Sequence, residues 1–95
     1  MTKKELWHVR IGTKIKRTLW NGETDIGTVI HRQLNDEVCG FMIAKEKSTG
    51  KIIEKDFLTG KKYLTVTVRF GHRDIRYLET NAEQWRLNSY TICNE

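Results

Sequence analysis

The run at residues 63–78, Tyr-Leu-Thr-Val-Thr-Val-Arg-Phe-Gly-His-Arg-Asp-Ile-Arg-Tyr-Leu, constrains the fold more than any other stretch of the chain. Leu64, Val66, Val68 and Phe70 alternate with Thr65, Thr67 and Arg69. Successive side chains of a strand point to opposite faces, so a strand here buries the first set and leaves the second in water. Gly71-His72-Arg73-Asp74 then supplies a glycine and an Asx residue suited to reversing the chain. Ile75-Arg76-Tyr77-Leu78 resumes with β-branched and aromatic residues, and a tight antiparallel hairpin is predicted.

The same reading divides the rest of the chain into short strands. Residues 12–20 form a strand with Ile15 and Leu19 inward and Lys14, Lys16 and Thr18 outward; Arg17 breaks the inward pattern and is placed near an open end. Asn21-Gly22 is a turn dipeptide. The next strand covers residues 25–34, where both faces are partly apolar and Gly27 permits a strong bend. Asn35-Asp36 is expected to turn the chain, and the apolar run at 38–44 is read as a central strand. Residues 45–50 turn into a strand at 51–57, and Thr59-Gly60-Lys61-Lys62 turns again. Residues 2–10 are a first strand or a turn of helix. Thr80-x-x-Glu83 has capping-box spacing, which predicts one helical turn before a last strand over 85–92, with Trp85, Leu87 and Ile92 folding onto the core.

Ninety-five residues fit a single domain, 1–95, able to bury about 60 to 65% of its unfolded surface. With 38% hydrophobic and 31% charged residues and no long apolar run, a membrane span is not expected. Residues 1–10 lack the apolar core of a secretory signal, so a cytoplasmic location is expected. Cys39 and Cys93 stand apart without a CxxC or Cys/His cluster and read as buried or incidental thiols. Seventeen Lys and Arg against 12 Asp and Glu give a net charge of +5, which favours an anionic partner: RNA, DNA or an acidic protein face.

Residues able to do chemistry are sparse. His8, His31 and His72 occur singly, without the spacing that places two ligands on one ion, so neither a metal nor another cofactor is expected. Asp25, Asp36, Glu46 and Lys47 match a nuclease pattern only loosely. With no nucleophile–base pair or phosphate loop, catalysis is not expected. Binding is better served. Lys14, Lys16, Arg32, Arg69, Arg73 and Arg76 sit on strands or turns that neighbour one another in a small barrel. Beside Trp20 and Tyr77 they form a candidate cationic strip, in which cations hold phosphates and rings stack on bases. Charged residues are also what any solvated strand face requires.

Short strands, glycine-marked turns and one helical turn before the last strand match an all-β, SH3-like barrel; an OB-like barrel is the alternative. Gly12-Thr-Lys-Ile15, Asn21-Gly22 and Gly27-Thr28-Val29 resemble the KOW motif. Val66-x-Val68-x-Phe70, Ile75-x-Tyr77-Leu78 and Trp85-x-Leu87 are similar to Tudor-type domains. The resemblance spans residues 12–87 and departs from both families in an extra lysine-rich hairpin within 41–62. It implies a non-catalytic module that binds nucleic acid or regulates a nucleic-acid-processing complex. It also implies a Tudor-type cage from Trp20, Phe70 and Tyr77 with Asp74 as its acidic companion. The alternative is a protein-docking module or small inhibitor of a larger enzyme, without nucleic-acid contact.

Overall fold

The computed structural model describes residues 1–93. A helix, α1 (Lys3–His8), precedes β1 (Lys14–Thr18), β2 (Thr24–Lys45), β3 (Ile52–Arg69) and β4 (Ile75–Glu79). A 3-10 turn (Gln84–Arg86) and β5 (Tyr90–Ile92) complete the chain. The strands form one antiparallel sheet in the order β4-β3-β2-β1-β5, so β1 to β4 meander and β5 returns to the far side of β1. The protein is mostly β, as expected, but the sheet is not closed: β4 and β5 remain its two edges. Among the described residues, no helix is long and apolar enough to cross a membrane.

The alternation in the organising run sets the inner face. Leu64, Val66, Val68 and Leu78 are buried with Ile15 and Val29 from the neighbouring strands. A sheet open at both edges needs a cover on this face, and α1 supplies it through Leu6 and Val9, with Leu87 from behind the 3-10 turn. The helix starts on a capping box. Thr2 Oγ1 accepts from the Glu5 amide at 3.1 Å and the Glu5 carboxylate accepts from the Thr2 amide at 2.9 Å. That bond holds the Glu5 carboxyl below the usual range. The Met1 nitrogen donates to the carbonyls of Leu87 at 3.2 Å and Tyr90 at 2.6 Å, tying cover to sheet.

Several local readings are corrected. Asn35-Asp36 does not turn: Asn35 pairs with Tyr63 and donates to Thr65 Oγ1 at 2.9 Å, and Asp36 pairs with Lys62 through an ion pair of 2.8 Å. Residues 59–62 do not turn either. Gly60, at φ +80°, absorbs a register shift and β3 runs on. The true reversal is at residues 46–51, where the Glu46 amide donates to the Lys51 carbonyl at 2.8 Å and the Glu46 carboxylate accepts from Ser48 and Thr49. The 38–44 run is therefore no central strand. It belongs to a two-stranded arm, residues 35–45 with 52–63, that leaves the core and gives the molecule extents of 61 × 27 × 25 Å.

At the other end of the chain, Thr80 does not cap a helix. Its buried hydroxyl accepts from the Leu64 amide at 2.9 Å, and the 3-10 turn, with Glu83 at its N-cap, has no side-chain cap. Trp85 lies in that turn largely exposed, and only residues 90–92 are strand. Leu87 joins the core as expected, and Ile92 packs at its margin. Cys39 is exposed rather than buried, its thiol donating to the Phe57 carbonyl, and Cys93 is half-buried; both are free.

Candidate nucleic-acid interface

The register of the core sheet decides which cations share a face. Ile75, Arg69, Thr28 and Lys14 are successive cross-strand neighbours on β4, β3, β2 and β1, and all point away from the core. Beside this row lie Tyr77, Thr67 and His31 on one side and Ile26, Lys16 and Thr91 on the other. Lys14 and Arg69 are thus two strand spacings apart, about 10 Å, with Thr28 between them. Lys14 Nζ donates to Thr28 Oγ1 at 2.7 Å, and Arg69 Nε to the Gly71 carbonyl at 3.2 Å. Glu79, opposite Thr65, is the acidic side chain of this outer face.

Four residues of the expected strip are assembled here: Lys14, Lys16, Arg69 and Tyr77. Arg32 is not among them. It pairs with Val66, a core position, and its guanidinium donates to the Trp7 carbonyl of α1 at 2.8 Å. Arg76 pairs with Val68 on the inner side and is neutralised by Asp74 at 3.0 Å. Arg73 lies in the β3–β4 turn and Trp20, 98% exposed, in the β1–β2 turn. Both turns are at the end of the sheet opposite the arm, so these two residues border the face rather than lie on it.

Arg17 breaks the inward pattern as expected, but it is buried, with partners that the sequence does not indicate. Its guanidinium donates to both oxygens of Asp25, at 2.9 and 2.6 Å, and to Asp74 at 2.8 Å. It also lies 4.0 Å from the Phe70 ring centroid. Hydrogen bonds from Arg17 hold the Asp74 carboxyl below its ordinary range, and those to Asp25 and Asp74 raise the Arg17 pKa. Asp25 is the cross-strand partner of Arg17, a proximity visible once the Asn21-Gly22 hairpin is in register. Asp74 lies 57 positions away and carried no local signal. The network explains why the expected cage does not assemble. Phe70 offers its ring face to Arg17, and Asp74 is committed to two arginines.

Gly27 makes room for this arrangement. A Cβ there would lie 2.8 Å from Phe70 Cδ1 and Val68 Cγ1 and 2.9 Å from the Arg69 carbonyl oxygen. A concavity of about 440 Å³ lies between β4 and the 3-10 turn, with Tyr77, Trp85, Tyr90, Arg76 and Arg86 in its walls. Trp85 and Arg86 were missed as surface residues because apolar class alone assigns a tryptophan to the core. The nuclease-like set is dispersed: Asp25 binds Arg17, Asp36 binds Lys62 and Glu46 caps the arm tip. Among the described residues, no three His, Cys, Asp or Glu side chains group as metal ligands.

No protein-family model matches the chain. Neither does any curated protein or solved structure.

Proposed function

We propose that this chain is a non-catalytic binding module whose exposed sheet face engages nucleic acid, single-stranded RNA or DNA being the class its side chains suit best. The observation that carries this reading is the outer face itself, where Lys14 and Arg69 share one cross-strand row, the exposed ring of Tyr77 lies in the row on one side of it and Lys16 in the row on the other. Cations spaced by strand pairing hold a phosphate backbone, and an exposed ring at the edge of their patch offers a stacking surface to an unpaired base. Trp20 and Arg73 extend the same chemistry around one end. The proposed scaffold is a small SH3-like barrel of KOW or Tudor type. The return of β5 to β1 and the 3-10 turn before it support that reading, and the open seam between β4 and β5 is its departure from the closed form.

The experiment is fluorescence-anisotropy binding of a random single-stranded oligonucleotide at 50 and 200 mM salt. Three phosphate contacts imply a fall in affinity of about 15- to 20-fold between the two concentrations. Lys14→Glu with Arg69→Glu is expected to abolish binding while the far-UV circular dichroism stays unchanged, since both side chains are exposed. Salt-independent binding, or full affinity in the double variant, overturns the proposal. A second reading, a protein-docking module, is favoured by the arm, which presents Phe41, Ile43 and Ile52 to solvent at 70%, 61% and 72% exposure.

A further inference from the structure

The arm is a ribbon of two strands, and a lone two-stranded ribbon is marginal in water. Its two edges differ. The β3 edge carries Glu54, Lys55 and Asp56 in its middle, charges of the kind that keep an exposed edge from pairing. The β2 edge carries Val38-Cys39-Gly40-Phe41-Met42-Ile43-Ala44, seven residues without a charge, in a chain with no proline. Among the described residues, no strand of the core pairs with that edge of β2 beyond Val29, to which Gly12 and Thr13 bond. The uncharged run is centred on Phe41 and bounded by Glu37 on one side and Lys45 on the other.

We infer that a second copy of this chain pairs with β2, antiparallel about Phe41, to make a four-stranded sheet in the order β3-β2-β2-β3 across a two-fold axis. The pattern complements itself in this register. Phe41 meets Phe41 and Met42 meets Gly40, and beyond the bulge between Val38 and Gly40 the Lys45 of one copy comes to the level of Glu37 of the other, so opposite charges close both ends of the uncharged run. The acidic stretch of each β3 falls on an outer edge of the new sheet, two strands removed from its mate. The chain reverses after Lys45, so the tip of one arm reaches only the start of the other arm near Asp36, short of the bonds that Gly12 and Thr13 make to Val29. Face-to-face packing of the arms is the poorer arrangement. Phe41 and Ile43 share their face with Asp56 and Glu54, and stacking two such faces buries carboxylates.

The test is sedimentation equilibrium of the full chain and two charge variants, with disulfide crosslinking of two cysteine variants. Wild type is expected to be a dimer at micromolar concentration, and Glu37→Lys to weaken it at least about tenfold by setting like charges at both ends. Adding Lys45→Glu to Glu37→Lys is expected to restore the dimer. In a Cys39→Ser, Cys93→Ser background, Phe41→Cys is expected to form an intermolecular disulfide on mild oxidation, because directly opposed antiparallel residues lie within bonding range. Ile53→Cys in the same background, on β3, is expected not to. Circular dichroism confirms that each variant is folded. A wild-type monomer at 100 µM overturns the inference and leaves the arm for a different protein. A dimer indifferent to Glu37→Lys, or one that crosslinks through residue 53 in preference to 41, places the contact elsewhere and overturns it equally.

Discussion

Replacing Arg17 by Met tests the part of the structure that joins the two hairpins of the core. The guanidinium makes three bonds to carboxylates and lies over Phe70, while its side chain is only 10% exposed. Bonds to charged groups contribute about 1.5 to 3 kcal/mol each before the cost of taking the charge out of water is deducted. Asp25 and Asp74 are 37% and 38% exposed and regain water when the arginine leaves, which reduces the loss further. Met keeps most of the stem packing. The expected net destabilisation of Arg17→Met at pH 7 is about 2 to 3 kcal/mol, read as a fall of roughly 1 to 2 M in the urea midpoint.

The pH dependence supplies the control. Because the folded Asp74 carboxyl titrates below its ordinary value of 3.8, its pairing stabilises the fold above that value and is lost as pH falls through the lower folded one. Wild type therefore loses this contribution on acidification below about pH 4, and Arg17→Met, which keeps only the Asp74–Arg76 pair, loses less. The gap between the two midpoints is expected to narrow between pH 7 and pH 2. A gap of the same size at both pH values means that Arg17 acts through packing alone. A variant more stable than wild type at pH 7 means that desolvation outweighs the pairing. Either result refutes the reasoning.

Gly27→Ala is expected to cost about 1 to 3 kcal/mol, because one of the three close neighbours of the added methyl is the Arg69 carbonyl, and backbone cannot step aside as a side-chain end can. Thermal unfolding reads this as a midpoint lowered by several degrees. Thr80→Val preserves shape and removes the acceptor for the buried Leu64 amide, for an expected loss of about 1 to 3 kcal/mol. Hydrogen exchange at the Leu64 amide is expected to quicken in that variant, and unchanged protection there contradicts the assigned bond.

Much of the inner face was legible. The period of two in residues 64–68 and the burial of Leu64, Val66 and Val68 agree, because alternation states which side of a strand meets water. Asn21-Gly22 turned as expected, with the Gly22 amide donating to the Leu19 carbonyl at 2.9 Å. The candidate site was only half legible. Lys14, Lys16, Arg69 and Tyr77 share a face by parity, a local property. Arg32 and Arg76 turned the other way, Arg32 because the bulge after Val29 shifts the register of β2 and reverses the parity that counting along the strand assigns. The 38–44 run looked like core because apolar content records affinity for a partner and not whether the same chain provides one.

Two copies of one pattern separate what sequence determines from what tertiary structure decides. Thr2-x-x-Glu5 and Thr80-x-x-Glu83 have the same spacing and the same local chemistry. At the first, nothing competes for the threonine hydroxyl and it caps α1. At the second, β3 brings the Leu64 amide within 2.9 Å and takes the hydroxyl, leaving the 3-10 turn uncapped. By itself the sequence determined the period of the strands, the turn at Asn21-Gly22 and the mild positive balance. Tertiary structure alone decided which donor each hydroxyl serves, which arginines are spent on carboxylates inside the fold, and that β2 and β3 outrun the core, because those outcomes depend on groups brought together from distant parts of the chain.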